Sequence, residues 1–346
     1  MTTTSIENLV IESITFKNSR TVRIWQVIAS IACVVAIVVT ALLIWQVLKE
    51  GKQCDSKRQD ENGGGIDIAA SKKNPPRYRL PCPRQPSLRP IPDIIPSGLS
   101  KALAKIGDLV NFAVNTTAHL PAISVNVFYQ NRSLWSSHYG SKEYMKEDKP
   151  NDTTVYRIGS ITKVFVVLMV YKFYEDGLID SLDDPLSKYV PDFYIRNPYT
   201  MTNITIRQIA SQMSGLPREA PCFYICANVT SEEQLEKLKN RSLVMTPGSM
   251  PSYSNLGYAL LGRLLTERLL QNQTFESWVI ERILKPLNMT NTGFDITEDV
   301  RKNMAFPHNS DGSRMPFMNI YWVAPAGQMY STLEDMTKLG MIFSQP

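Results

Sequence analysis

Ser160-Ile161-Thr162-Lys163 places a hydroxyl and an amine three residues apart, where a long apolar run from Val164 to Tyr171 begins. On a helix, residues i and i+3 share a face, so the two side chains would stand together. The positive end of a helix disfavours an ammonium, which makes a lysine there a better base. The same end offers backbone N–H groups to negative charge developing beside the serine. Together these groups can activate a serine nucleophile without a histidine. A serine N-cap followed by a surface lysine has the same spelling, so the motif needs support from elsewhere in the chain. Tyr253-Ser254-Asn255 supplies it, after Thr246-Pro247-Gly248 and before a second helical run, Leu256 to Gly262. A phenol near a lysine can relay a proton to a leaving group. An asparagine amide can orient the lysine and hold a substrate carbonyl. A core tyrosine beside an Asn or Ser N-cap is the plainer reading of that triplet.

These residues need elements to hold them. A helical pattern opens at Ser97 or Ser100, with Leu103, Ile106, Leu109, Val110 and Val114 at helical spacing. Ile123, Val125, Val127 and Tyr129 alternate as a strand, Asn131-Arg132 suits a turn, and Leu134 to Tyr139 would return as a hairpin. The helix after Ser160 is apolar on nearly every side and ends at Gly177, which predicts deep burial and puts the motif at the floor of a cleft. Thr205-x-x-Gln208 and Ser331-x-x-Glu334 read as capping boxes, and Thr274 as the cap of a helix running to Leu284.

Ser160-x-x-Lys163 followed about ninety residues later by Tyr253-x-Asn255 resembles the serine β-lactamase superfamily. The likeness is to its branch of class C β-lactamases, D-alanyl-D-alanine peptidases and esterases. Val155-Tyr156-Arg157-Ile158-Gly159, Gly177-Leu178-Ile179-Asp180, Leu182-Asp183-Asp184-Pro185, Ser214-Gly215-Leu216-Pro217 and Ala326-Gly327-Gln328-Met329-Tyr330-Ser331-Thr332-x-x-Asp335 match as well. The resemblance runs from about residue 99 to the end. It implies an α/β (α+β) fold, an antiparallel sheet flanked by helices and joined to a helical lobe, with the site between them. It also implies Ser160 as the nucleophile of an acyl-enzyme, Lys163 as its proton acceptor and Tyr253 as general acid/base. Asn255 would position substrate and lysine, and the Ser160 N–H would be one oxyanion donor. The substrate would be a small-molecule or peptide amide or ester, with no cofactor and no metal.

The chain departs from the family pattern in three places. Gln212-Met213 stands for the usual His-Thr, and Ala326 for a common glycine. No Lys/His-Thr/Ser-Gly triplet follows Asp335. That motif would carry the second oxyanion donor, whose loss costs on the order of 10²–10³ in rate. The expectation is a domain over 99–346 that lacks its C-terminal part and leaves a hairpin edge unpaired. A catalytically silent ectodomain that acts by binding, and a truncated product of a longer active chain, therefore stand beside the hydrolase reading.

Charge and composition narrow the setting. Residues 1–98 carry 13 Lys/Arg against 8 Asp/Glu, while 99–346 carry 24 of each, so the globular part has no basic excess to offer a nucleic acid. His119, His138 and His308 are scattered and no C-x-x-C occurs, which leaves no zinc pattern. Ile24 to Leu48 is free of charge, and its inner nineteen residues from Val27 to Trp45 suffice to span a bilayer. Trp25 and Trp45 stand where interfacial tryptophans belong. Residues 24–48 are thus expected to be a lipid-embedded anchor between a cytoplasmic segment, 1–23, and a basic, Gly- and Pro-rich stalk, 49–98. Eight N-x-Ser/Thr sequons, at Asn115, Asn131, Asn151, Asn203, Asn228, Asn240, Asn272 and Asn288, all follow the anchor. They favour a type II single-pass membrane glycoprotein with a lumenal or extracellular domain. Cys54, Cys82, Cys222 and Cys226 could form two bridges there or remain thiols.

Overall fold

The computed structural model describes Pro90 and residues 93–117, 120–222 and 226–344, all within the unit Gln85–Pro346. The expected anchor at 24–48, most of the stalk, Cys54 and Cys82 lie outside the described residues. Among those described, no helix is long and apolar enough to cross a membrane.

Helix α1, Ser97–Thr116, opens the domain and packs on an antiparallel hairpin of β1, Ala122–Tyr129, and β2, Arg132–Gly140. It buries Leu103, Gly107 and Val114, while Ile106 and Leu109 stay exposed, because only that stripe faces the hairpin. A methyl group at Gly107 would come 2.7 Å from the Tyr139 hydroxyl, so the glycine lets that ring seat under the helix. The turn falls at Gln130-Asn131, one residue earlier than the sequence suggests, with Gln130 at φ 54°. A register shift between Val127 and Phe128 bends the hairpin.

Instead of one sheet, the described residues form two separate two-stranded ladders. The second pairs β3, Val155–Arg157, with β4, Tyr330–Thr332. A 2.8 Å hydrogen bond between the Ser124 and Tyr156 hydroxyls joins the two ladders. The mixed α/β character is as expected.

Helix α2, Thr162–Glu175, is the centre of the core. Phe165, Val166, Met169, Val170 and Phe173 are fully buried. Its burial is one-sided, however, since Tyr171 and Tyr174 face solvent. It ends in a Schellman motif: Leu178 N–H donates to Phe173 C=O at 2.8 Å and Gly177 N–H to Tyr174 C=O at 3.2 Å, with Gly177 at φ 73°. Short helices follow: α3, Leu186–Tyr189; α4, Ile206–Ala210; and α5, Ser231–Leu238. Then come α6, Asn255–Ala259; α7, Leu265–Leu269; and α8, Phe275–Val279. Leu260–Leu264, a π-helical turn, joins α6 to α7, and Ile280–Leu284 extends α8 in the same way. Helix α9, Glu298–Lys302, precedes β4, and α10, Leu333–Phe343, follows it.

Thr205 and Gln208 form the expected capping box on α4. The expected box at Ser331 and Glu334 does not form, and a simple cap stands one residue later. Thr332 caps α10 by accepting from Asp335 N–H at 3.2 Å, because Ser331 is spent on a 2.7 Å bond with Thr292.

Candidate active site

A 3₁₀ turn, Gly159–Ile161, runs straight into α2 and carries Ser160 to the surface while Lys163 lies inside, 6% exposed. Lys163 Nζ donates to Ser160 Oγ at 3.0 Å. Its other two bonds go to Asn255 Oδ1 at 2.8 Å and Ala326 C=O at 2.6 Å, so all three hydrogens of an ammonium have acceptors. Tyr253 reaches the same serine: its hydroxyl is hydrogen-bonded to Ser160 Oγ. The Lys163 amine also sits 4.7 Å from the centre of the Tyr253 ring. All four residues singled out in the sequence therefore meet at one point.

The tyrosine and asparagine are held by a strap. Gln212, at φ 62°, accepts from Ser252 N–H on its carbonyl and from Ser254 N–H on its side chain, both at 2.7 Å. Ser254 Oγ donates to Pro217 C=O at 2.7 Å and accepts from Gly257 N–H at 3.0 Å, which caps α6. Asn255 N–H donates to Arg218 C=O at 2.7 Å. Gly215, at φ 72°, turns the 214–218 segment against the Met245 carbonyl, a conformation and a closeness that a side chain would not tolerate. The departure at Gln212 thus has a structural use: its amide fastens the Tyr253 segment.

Glu219 is the residue that sequence reasoning missed. Both its carboxylate oxygens lie 3.0 Å from Asn255 Nδ2, and Arg218 Nε stands 3.2 Å from Oε1. The Arg218 guanidinium lies over the Tyr253 ring at 5.0 Å. The Asn255 nitrogen, expected to hold a substrate carbonyl, is committed to this carboxylate instead. Arg218 and Glu219 directly follow the Ser-Gly-Leu-Pro match, which was the available signal. The Ala326 carbonyl carried no such signal.

Burial is the largest influence on Lys163 and pushes its amine below the ordinary value, with Tyr253 and Glu219 opposing. Burial alone would raise the Tyr253 phenol. The Lys163 and Ser160 groups beside it, with the Lys163 and Arg218 charges, outweigh burial and bring it below its ordinary value. Among the described residues no cluster of His, Cys, Asp or Glu could hold a metal ion. Cys222 and Cys226 form a disulfide just beyond Glu219, one of the pairings open in the sequence. A cavity of about 720 Å³ around Arg263, Glu267 and Trp322 includes none of the four site residues.

The Beta-lactamase family model matches residues 104–345. Beta-lactamase-like 1 of Homo sapiens is 37% identical over 267 residues, covering 75% of this chain and 53% of the human protein. Beta-lactamase-like protein 2 of Dictyostelium discoideum is 34% identical over 274 residues, covering 76% of this chain and 49% of that one. The chain spans about half the length of these relatives. Among solved structures, a beta-lactamase/D-alanine carboxypeptidase from Yersinia pestis superposes with a TM-score of 0.55 at 26% identity, covering 68% of each chain. A class C beta lactamase gives 0.59 at 20% identity, covering 70% of this chain and 64% of that one, a likeness of fold.

Proposed function

The chain belongs to the Beta-lactamase family, and from that premise we propose that it is a serine hydrolase whose acyl-enzyme forms at Ser160. Its substrate is an ester or amide, small or peptidic. Ser160 Oγ attacks the carbonyl carbon, and its proton passes to the Tyr253–Lys163 pair. Lys163 uses its three hydrogens on Ser160, Asn255 and Ala326, so the serine hydrogen is left for the Tyr253 oxygen. This route differs from direct transfer to the lysine, which the resemblance implied. Lys163 then acts mainly through its charge, which favours the phenolate as acceptor. Oxygen charge on the tetrahedral intermediate faces the Ser160 N–H. Tyr253 returns the proton to the leaving group, and water releases the acyl group by the reverse sequence.

The observation that carries this reading is the single hydroxyl shared by Lys163 and Tyr253. Its test is treatment of the 346-residue chain, in detergent, with a fluorophosphonate, followed by peptide mapping. The expected adduct lies on Ser160. A folded protein that takes no adduct would instead support a silent, binding ectodomain.

The pH dependence follows from the two lowered groups. Acylation needs a proton acceptor in the pair, so the labelling rate rises as pH climbs through its apparent pKa. Both members are depressed from 10.5 and 10.0, which places the half-maximal rate below pH 10. A rate-against-pH series checks this, and a limb centred at or above pH 10 would count against the pair.

The domain is further proposed to lie outside the cytosol, anchored by residues 24–48 as a type II single-pass glycoprotein. All eight sequon asparagines are exposed, as glycan attachment requires. The Cys222–Cys226 bridge suits an oxidising compartment.

A further inference from the structure

Asn255 is an ambidextrous group, with an acceptor at one end of its amide and donors at the other. Lys163 alone would fix only the oxygen end of the amide. It is held from both sides: Oδ1 takes the Lys163 hydrogen at 2.8 Å, and Nδ2 lies 3.0 Å from each oxygen of Glu219. The reversed amide would set donor against ammonium and carbonyl against carboxylate, so Glu219 makes one orientation strongly preferred. Only 13% of the Glu219 side chain is exposed, and Arg218 is its one ion-pair partner among the described residues.

We propose that Glu219 is a positioning residue of the active site, locking Asn255 so that its carbonyl holds Lys163 against Ser160. The inference rests on the hydrolase reading for its effect on rate and on geometry alone for its effect on Lys163. Its carboxylate adds negative charge behind the lysine and favours the ammonium. The charged and titratable groups around Lys163 are Glu219 and Arg218 on the strap, Tyr253, and Tyr258 on α6 with its ring centre 5.4 Å away. Of these, Glu219 is the only carboxylate, so its removal acts in one direction.

The test compares wild type, Glu219→Ala and Glu219→Gln in the 346-residue chain, with a fluorophosphonate as the probe. Glu219→Ala frees the amide and is expected to slow Ser160 labelling roughly 10- to 100-fold, the worth of one charge-assisted hydrogen bond. Glu219→Gln keeps the shape and one acceptor but loses the charge. It is expected to retain more of the rate and to move the acid limb to lower pH, because the Lys163 ammonium loses its counter-charge. Equal rates and an unmoved limb in both variants would overturn the proposal.

A second readout needs no working nucleophile. Competitive acetylation of lysines, read by peptide mass spectrometry, follows the Lys163 titration directly. A lower Lys163 pKa in Glu219→Gln supports the lock even if wild type takes no fluorophosphonate, an outcome that would sink only the hydrolase reading. An unchanged Lys163 titration overturns the lock.

Discussion

Lys163→Met is expected to slow fluorophosphonate labelling of Ser160 by roughly 10²–10⁴-fold, the range associated with a positioned acid–base group. Methionine fills much of the lysine's space and removes its charge, so the change addresses chemistry more than packing. Without the amine, Ser160 loses a 3.0 Å donor and Tyr253 loses the neighbour that does most to oppose its burial. The phenol then moves up and becomes a poorer acceptor at neutral pH. Asn255 Oδ1 and the Ala326 carbonyl also lose their shared donor, at a stability cost of about 1–3 kcal/mol for each group left unpaired. Relief of burying an ammonium offsets part of that cost. The variant should therefore fold, as circular dichroism would check. Labelling as fast as wild type would remove Lys163 from the mechanism.

Lys163→Arg separates the two roles open to the lysine. Arginine keeps the charge but does not give up its proton near neutral pH. If Lys163 serves Tyr253 through its charge, the arginine variant keeps part of the rate that methionine loses. If Lys163 takes the serine proton itself, the two variants are equally slow. The comparison is between rates in folded proteins, so the larger guanidinium must first be shown to fit.

Phe165→Ala is expected to destabilise the domain by about 3–5 kcal/mol, as for other buried phenylalanines cut to alanine. Phe165 is fully buried on α2, two residues beyond Lys163, within the cluster that includes Leu256 and Leu260. Such a loss is a large share of the ~5–15 kcal/mol that holds a domain folded. Tyr171, on the same helix but 50% exposed, is the internal control. Tyr171→Ala should stay within about 0.5 kcal/mol of wild type. Denaturant unfolding would read both, and a Phe165→Ala loss under 1 kcal/mol would contradict the central place assigned to α2.

Elements governed by short-range rules were legible in the chain. Ser160 and Lys163 come together through i, i+3 spacing at a helix start, and the Schellman ending at Gly177 needs only a glycine and its neighbours. The Thr205 box and the Ser254 cap are likewise local. The hairpin followed from alternation, and its turn slipped by one because Gln130 takes a positive φ that its type does not announce. The cap of α10 slipped for another reason. Ser331 and Thr332 are equally good caps, and a distant Thr292 claims the first of them. The sequence therefore determined that Ser160 meets Lys163, and that Tyr253 and Asn255 join them. Which face of α2 meets solvent, which carbonyl receives the third Lys163 hydrogen, and which carboxylate turns Asn255 were decided by tertiary packing. Ala326 lies 163 residues from Lys163, and Glu219 36 from Asn255. No helical or strand period relates such positions. Only the closing of the core around α2 brings them within hydrogen-bond reach.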